Sequence, residues 1–224
     1  MAASVVLIHT VKLLIELFDH LSADLLPGVT IQHILDEPLL ERVRQRGALA
    51  EEDADRIKAH ACEAEAIGAS AVLVTCSTMS CCVDAVRPQV HIPVFKIDEA
   101  MTAEAVKIAS RIGVVATNVT TLQPTRQLLV TQAAGKPLEI EMLLVEHALE
   151  ALLRGDGATH DHLVKEAVQV LSANVDTIVL AQASMARVLA VIPASERAIP
   201  ILASPQLALA QVKEYLTTRK EGHS

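Results

Sequence analysis

The sequence predicts an α/β protein with two similar halves, each a small parallel sheet of about four strands flanked by helices. The first observation is an internal repeat, because residues 68–80 (GASAVLVTCSTMS) align without a gap with residues 174–186 (NVDTIVLAQASMA). Both segments are aliphatic runs that end in small polar residues, which is typical of a buried strand followed by a loop and a helix. The second observation is that strand-like and helix-like segments alternate, and this order occurs twice. Such alternation favours parallel sheets with right-handed crossovers.

Three more pairs of segments extend the repeat in the same order. They are VVLIHT (5–10) with IGVVAT (112–117), GVTIQHILDE (28–37) with PLEIEMLLVE (137–146), and HIPVF (91–95) with AIPIL (198–202). The spacing changes by a few residues from pair to pair, as short loop insertions would cause. We therefore expect a duplicated chain in which residues 1–98 plus 205–224 form the first lobe and residues 99–204 form the second.

Helix-like segments lie between the predicted strands. Apolar residues recur at helical spacing in the second part of residues 38–67, and the same periodicity is present in residues 159–173. A third equivalent pair, residues 101–110 and 206–217, follows the two segments that contain Ile-Pro. Each half thus contributes helices to cover its own sheet.

The composition excludes several classes of protein. Hydrophobic residues make up 51% of the chain and aromatic residues only 1%, so the core must be aliphatic. A net charge of −8 argues against nucleic acid as a partner, because such binding depends on neutralising phosphates. The uncharged stretch of residues 66–83 contains several polar residues, and we interpret it as strand, turn and helix start rather than as a membrane span.

Further expectations concern location and assembly. The N-terminal residues lack a basic leader, and their apolar run is short for a signal peptide. The four cysteines are then most simply reduced thiols, and we expect a cytoplasmic protein. Long aliphatic helices leave room for a homo-oligomer.

The candidate site follows from the carboxyl ends of the predicted strands, where ligands bind in open α/β sheets. If the two lobes face each other with these ends, the site lies in the cleft between them. The side chains expected there are hydroxyls, amides, one imidazole and one thiol, which suit a small polar ligand that carries a carboxylate. They are His9, Thr10, Cys76, Ser77, Thr78, Thr117, Asn118, Thr121, Gln182 and Ser184.

Several of these residues also have a structural interpretation. Cys76 stands where a strand meets a helix, and a helix N-terminus favours the thiolate, but most free cysteines are simply buried apolar groups. Thr117 and Asn118 could be turn and capping residues, and His9 could be a histidine whose hydrogen bonds are satisfied at a strand end. Cys81 and Cys82 lack the ligand spacing of a metal site, so we expect no metal.

The segments VLVTCSTMS, IPVFKIDEAM, IGVVAT and VLAQASMA, in this order, resemble the aspartate/glutamate/hydantoin racemase superfamily. The resemblance implies two α/β lobes that enclose a substrate, without cofactor or metal, in an enzyme of amino-acid metabolism. It implies that one thiolate removes the proton beside a carboxylate and that a second thiol protonates the opposite face. It makes Cys76 the first catalytic cysteine. The carboxylate-binding positions that it implies are Thr10, Ser77, Thr78, Thr117, Asn118 and Thr121.

The sequence departs from this family pattern in the second lobe, where Gln182 takes the place of the second cysteine. Glutamine cannot exchange a proton near neutral pH, so a water, His9 or Glu99 would have to supply the second proton. Three interpretations stay open. The chain is an isomerase or racemase, a single-cysteine decarboxylase, lyase or cis–trans isomerase, or a protein that only binds a small acid. Few charges lie near the expected site, and Lys96 and Arg187 are the nearest cations.

Overall fold

A computed structural model describes residues 3–221, and it confirms the predicted fold class. These residues form two four-stranded parallel sheets, each flanked by helices. In chain order, the first elements are β1 (Ser4–His9), α1 (Leu14–Leu25), β2 (Thr30–Leu35), α2 (Glu37–Arg46), α3 (Glu51–Ala66), β3 (Ala71–Val74), α4 (Val83–Val86) and β4 (Val94–Lys96). The strands of the first sheet lie side by side in the order β2-β1-β3-β4.

The second sheet repeats this arrangement. Its elements are α5 (Glu99–Ile108), β5 (Arg111–Ala116), α6 (Val119–Ala133), β6 (Glu139–Leu144), α7 (Ala148–Leu153), α8 (Gly157–Leu171), β7 (Thr177–Leu180) and β8 (Ile201–Ala203), followed by α9 (Ser204–Glu221). The strand order is β6-β5-β7-β8, which is the order of the first sheet.

The chain divides into two compact units. The first contains the residues up to Ile97 together with the segment that starts at Pro205, and the second is Asp98–Ser204. Helix α9 therefore belongs to the first unit, where the ring of Tyr215 packs edge-on against the ring of Phe95 with centroids 5.8 Å apart. Residues 1, 2 and 222–224 of the predicted first lobe lie outside the described residues.

Strand register confirms the predicted duplication. In the first unit Val5 of β1 pairs with Ala71 of β3, and in the second Ile112 of β5 pairs with Thr177 of β7. Val5 and its counterpart Ile112 are 107 positions apart, and Ala71 and its counterpart Thr177 are 106 positions apart, as the sequence repeat requires. The edge strands β2 and β6 are also equivalent, because each pairs in parallel over its whole length with the first strand of its sheet.

Burial explains why these segments form the centres of the sheets. The runs VVLI in β1 and AVLV in β3 are fully buried, as expected for strands that are covered on both faces. On α3 the buried positions Ile57, Ala61 and Ala64 recur at helical spacing and pack into the same core as the sheet. The helical stretch 38–67 contains two helices because Gly47 ends α2 in the left-handed conformation, with φ at 76°.

The uncharged stretch of residues 66–83 holds the end of α3, strand β3 and a 3-10 helix, Ser77–Cys82. Within residues 3–221, no helix combines the length and the apolar character that crossing a membrane requires.

Candidate active site

The predicted site residues form two groups, one at the carboxyl edge of each sheet. In the first unit Thr10 follows β1 and Cys76 follows β3, and these strands are neighbours whose last paired residues are Ile8 and Val74. We call the first group the Cys76 cluster; it consists of His9, Thr10, Cys76, Ser77 and Thr78. The second group, the Gln182 cluster, follows β5 and β7 in the same way. It consists of Thr117, Asn118, Thr121, Gln182 and Ser184.

The thiol of Cys76 is nearly buried, with 8% of the residue exposed. Burial raises the pKa of Cys76 above its ordinary value. Hydrogen bonding by the side chains of Thr10 and Thr78 and by the backbone amides of Thr78 and Met79 acts in the opposite direction and favours the thiolate. Because burial is the largest effect, Cys76 rests as a neutral thiol that is surrounded by groups able to stabilise its anion.

This result corrects the expectation that a helix N-terminus makes the thiolate of Cys76 the favoured form. The residues after Cys76 form the short 3-10 helix Ser77–Cys82, and α4 adds only four residues. A short 3-10 turn aligns fewer peptide dipoles than a long α-helix, so it contributes less stabilisation to an anion. Desolvation therefore determines the direction of the shift, and the pKa of Cys76 is raised rather than lowered.

The Ser77 hydroxyl of the Cys76 cluster is available to a ligand. Ser77 Oγ is buried and has no hydrogen-bond partner among residues 3–221, and Thr10 Oγ1, which is also buried, has none apart from its contact with the thiol. Buried polar groups are almost always hydrogen-bonded, so an orphan donor beside the thiol needs an explanation. A ligand carboxylate would accept from Ser77 Oγ, whereas the single hydroxyl proton of Thr10 is directed at the sulfur.

The imidazole of His9 is fully buried, and both of its ring nitrogens have protein partners. Nδ1 lies 2.8 Å from Thr75 Oγ1, and Nε2 lies 2.8 Å from Nδ1 of His33. Burial, with His33 adding to it, lowers the pKa of His9 to about 3, although Asp19 acts in the opposite direction. His9 is therefore neutral with its hydrogen bonds satisfied, which favours the structural interpretation over the predicted ligand contact. It is also a poor source of a second proton.

Sequence reasoning missed three residues that are linked to His9. Thr75 directly follows β3, His33 lies in β2 and Asp19 lies in α1. Only the folded unit brings Thr75 and His33 next to the ring of His9, and Asp19 next to the ring of His33. The sequence signal for one of them was the histidine His33 within a predicted strand, GVTIQHILDE (28–37), but its place beside β1 is seen only in the structure.

In the Gln182 cluster, the amide of Gln182 is bound at both ends by Thr117. Its Oε1 accepts a hydrogen bond of 2.8 Å from the Thr117 backbone N–H, and its Nε2 donates one of 2.9 Å to Thr117 Oγ1. Thr117 is the counterpart of Thr10, which contacts the thiol in the first unit. The amide thus stands where the duplication would place a second thiol, and it acts as neither an acid nor a base near neutral pH.

The other members of the Gln182 cluster occupy the start of α6 and the 3-10 helix Ala183–Ala190. Asn118 is the N-cap of α6, and its side chain accepts a hydrogen bond of 3.3 Å from the Thr120 backbone N–H. Thr121 is buried in the first turn, and Ser184 is half-buried in the 3-10 helix. The capping interpretation of Asn118 is therefore satisfied, and a ligand contact is not needed to explain this residue.

Both cations that could have served as counter-charges already have acidic partners. Lys96 Nζ lies 2.7 Å from Asp84 Oδ2, and Arg187 Nε lies 2.8 Å from Asp161 Oδ1. A ligand carboxylate at the Cys76 cluster would therefore rely on hydroxyl and backbone donors.

Metal-binding side chains do not assemble in the described part of the chain. From residue 3 to residue 221, no group of three or more His, Cys, Asp or Glu side chains is arranged to hold a metal ion. Cys82 adjoins Cys81, and the hydrogen bond between them together with burial raises the pKa of Cys82, which opposes the thiolate that a metal requires.

Several solved structures resemble the chain in fold. Solved structures with the same fold include an aspartate racemase from Picrophilus torridus, with a TM-score of 0.76, 12% identity and coverage of 96% of this chain and 94% of that one. An allantoin racemase from Klebsiella pneumoniae has a TM-score of 0.72 and 19% identity, with 98% and 89% covered. The glutamate racemase isoform RacE1 from Bacillus anthracis has a TM-score of 0.71 and 17% identity, with 97% and 82% covered.

At these identities the structures establish the fold alone. A sequence comparison with curated proteins gives no match. The family model described as Asp/Glu/Hydantoin racemase, however, matches residues 9–212, which is most of the chain and includes both clusters. The chain belongs to the Asp/Glu/hydantoin racemase family.

Proposed function

We propose that this protein is a cofactor-independent isomerase in which Cys76 transfers the proton next to the carboxylate of a small organic acid. The observation that carries the proposal is the surroundings of Cys76. Its buried thiol is contacted by Thr10 and Thr78 and by the backbone amides of Thr78 and Met79, all of which favour its anion. A thiol that serves only as core filling does not need such donors.

Substrate binding follows from the orphan hydroxyl group of Ser77. Ser77 Oγ, together with backbone N–H groups, would donate hydrogen bonds to one carboxylate and hold its α-carbon beside the sulfur, whereas the single proton of Thr10 Oγ1 is directed at the thiolate. These donors gain strength when the carboxylate takes up the negative charge of an enolate, so they bind the transition state better than the ground state. With Lys96 and Arg187 already paired, neutral donors suit an acid with one carboxylate near the reacting carbon.

The proton step uses the thiolate as base. The sulfur takes the proton, and the electron pair of the C–H bond is left on the α-carbon and delocalised into the carboxylate. Return of the same proton reforms the starting acid, whereas protonation of the opposite face inverts the centre. Gln182 cannot provide that second proton and the ring nitrogens of His9 are occupied, so water or Glu99 would have to deliver it.

The raised pKa of Cys76 sets the pH dependence of this reaction. At neutral pH only a small fraction of the sulfur is thiolate, and that fraction increases as the pH rises toward the pKa. Proton abstraction should therefore become faster with increasing pH.

A second candidate is favoured by the same neutral thiol together with Gln182. In a single-cysteine decarboxylase, the bond between the α-carbon and a carboxylate breaks and carbon dioxide leaves. The electron pair stays on the carbon, which takes the proton of the Cys76 thiol, and the resulting thiolate regains a proton from water. This cycle starts from the protonated sulfur and needs no acid in the second unit. A cis–trans isomerase, in which the thiolate adds to a double bond and leaves again, would also need one cysteine.

The test is to incubate the protein in heavy water with amino acids, hydantoins, malonates and maleate, and to follow each compound by proton NMR. Cys76→Ala is the essential variant, and Cys62→Ala is its matched control because Cys62 is an exposed cysteine outside both clusters. Deuterium entering beside a carboxylate, with inversion, supports the isomerase. Release of carbon dioxide or cis–trans conversion supports the second candidate. Binding without any conversion of the bound compound contradicts both.

A further inference from the structure

A chain of polar side chains adjoins Thr10 and Cys76, and it connects β1, β2 and α1 to the residue that follows β3. It begins at Thr75, the last residue before Cys76, and continues through the rings of His9 and His33 to the carboxylate of Asp19. Thr75 Oγ1 lies 2.8 Å from His9 Nδ1, His9 Nε2 lies 2.8 Å from His33 Nδ1, and His33 Nε2 lies 3.0 Å from Asp19 Oδ1. We call this set the His9 chain.

Packing holds the two rings of the His9 chain in place. The rings of His9 and His33 are nearly parallel, with centroids 5.1 Å apart, and the ring of Phe18 lies 5.6 Å from that of His9. His9 is fully buried, whereas the side chains of His33 and Asp19 are 18% and 59% exposed. The chain thus leads from solvent to the buried edge of the sheet.

Two neutral imidazole rings can make every hydrogen bond of the His9 chain. This holds when the Thr75 hydroxyl proton is directed at His9 Nδ1 rather than at the Ile8 carbonyl, which lies 3.0 Å from Thr75 Oγ1. His9 Nε2–H then donates to His33 Nδ1, and His33 Nε2–H donates to the Asp19 carboxylate. Each ring then gives one proton and accepts one, as a neutral imidazole must. Thr75 keeps its connection to β1 through its backbone N–H, which donates to the Ile8 carbonyl at 3.0 Å.

The links of the His9 chain join the two strand ends that carry Thr10 and Cys76. His9 is the residue before Thr10, and Thr75 is the residue before Cys76. A bond between the side chains of His9 and Thr75 therefore adds to the hydrogen bonds from Thr75 to the Ile8 carbonyl, and it joins β1 to the end of β3 one residue before the contact between Thr10 and the thiol. The geometry of that contact decides how much the thiolate is stabilised.

The second unit provides an internal comparison, because it has the same backbone arrangement without the polar chain. Strand register makes Ala116 the counterpart of His9 and Met142 the counterpart of His33. Ala181 corresponds to Thr75, since its N–H donates to the Val115 carbonyl as that of Thr75 donates to the Ile8 carbonyl. The fold of a unit therefore does not require the polar chain. The chain is present in the unit that has the thiol and is missing from the unit that has Gln182.

We infer that His9 is a positioning residue for Cys76, which acts by holding the end of β3 against the end of β1 so that the Thr10 hydroxyl stays directed at the sulfur. This inference rests on the proposed function of Cys76 as a proton-transfer group. It assigns no direct substrate contact to His9, in agreement with the two occupied ring nitrogens.

The test measures the reactivity of the Cys76 thiol itself and so does not depend on knowing the substrate. The rate of alkylation by iodoacetamide is followed from pH 6 to pH 9, and mass spectrometry of peptides separates Cys76 from the other cysteines. The variants His33→Met and Thr75→Ala introduce the residues that the second unit has at these positions. His9→Asn replaces the central ring itself, and Asp19→Asn alters only the exposed end of the His9 chain.

If His9 positions the cluster, these variants should slow the alkylation of Cys76 about tenfold at pH 7, because the weakened contact with Thr10 leaves a smaller fraction of the sulfur as thiolate. Thr10→Val should have the same effect, and combining it with His33→Met should add nothing, because both act through one contact. Cys62 in the same samples reports any general change, and His20→Gln, an exposed histidine next to Asp19, should leave Cys76 unchanged.

Three results would overturn the inference. One is an unchanged pH profile of Cys76 in variants that keep the unfolding temperature of the wild type. Another is faster alkylation of Cys76 in these variants, because that result would show that the substitutions loosen the packing and expose the sulfur. The last is an effect that adds to that of Thr10→Val. The proposed function is tested separately in the same preparations, because turnover that survives in Cys76→Ala contradicts that function whatever the alkylation profiles show.

Discussion

Gln182 is bound to Thr117 through both ends of its side-chain amide, at 2.8 Å to the backbone N–H and 2.9 Å to the hydroxyl. In the first unit the equivalent threonine, Thr10, contacts the thiol of Cys76 instead. The duplicated fold therefore holds one thiol and one amide at corresponding places. The chemistry that we propose follows from this difference between the two units.

The first prediction is that Gln182→Cys adds the acid that the second unit lacks. We expect inversion of the α-carbon to become faster by roughly 100-fold or more on an acid that the wild type exchanges, because a positioned acid typically contributes that much. Circular dichroism or chiral chromatography of the product measures it. Gln182→Ser, which also removes the amide but has no thiol, is the control. Equal inversion rates in both variants would count against a missing second acid.

The second prediction concerns the hydroxyl of Thr10. Thr10→Val removes a donor to the thiolate, so the pKa of Cys76, already raised by burial, should increase further. Exchange that depends on the thiolate should then fall about tenfold at pH 7, in proportion to the thiolate fraction, and the rate profile should move to higher pH. Thr10→Ser retains the hydroxyl and should stay close to the wild type. If the pH profile of the exchange rate is unchanged in Thr10→Val, the Thr10 hydroxyl does not stabilise the thiolate.

The third prediction separates two interpretations of Asn118. As the N-cap of α6, Asn118 should be replaceable by Ser with little loss, whereas Asn118→Ala should reduce the free energy of unfolding by about 1 kcal/mol. Urea unfolding measures both variants. If Asn118 only caps the helix, Asn118→Ser should also keep the full rate of exchange. Normal stability combined with a large loss of activity in Asn118→Ser would instead establish contact with the ligand.

The fourth prediction is a loss of stability in acid that originates at His9. Its pKa is about 3 in the folded protein and 6.5 without perturbation, so between these values the unfolded chain binds a proton that the folded chain excludes. The free energy of unfolding should therefore decrease as the pH falls below 6.5, by about 1.4 kcal/mol per pH unit at most.

Unfolding by urea at pH 7 and pH 4.5 measures this loss. In His9→Asn, which cannot be protonated, the difference between the two pH values should be smaller than in the wild type. His20→Gln removes an exposed histidine and should leave the difference unchanged. A His9→Asn protein with the wild-type difference would show that other groups cause the acid sensitivity.

Much of the fold could be predicted from the sequence because the signals are local and occur twice. The apolar runs of β1 and β3 recur in β5 and β7, and the Ile-Pro segments precede β4 and β8 in the same way. The structure confirms that duplication, strand by strand. The placement of Thr10 and Cys76 at one sheet edge could also be predicted, because each follows a strand and the strands of a parallel sheet end at the same edge.

The properties of individual groups could not be predicted in the same way. The direction of the pKa shift of Cys76 depends on burial by the whole unit, which outweighs the local effect of the turn that follows. The partners of His9 are Thr75, which follows β3, and His33 of β2, and His33 in turn contacts Asp19 of α1. No spacing in the sequence relates His33 or Asp19 to His9. Likewise, the two hydrogen bonds of Gln182 depend on the meeting of β5 and β7.

The most direct test of the central claim is the rate at which deuterium enters the α-position of an accepted acid in heavy water, compared between the wild type, Cys76→Ala and Cys62→Ala. We expect Cys76→Ala to lose roughly 100- to 10,000-fold, as removal of a proton-transfer group should cause, and Cys62→Ala to match the wild type. Exchange in folded Cys76→Ala at the wild-type rate would contradict the claim that the thiol of Cys76 carries the proton.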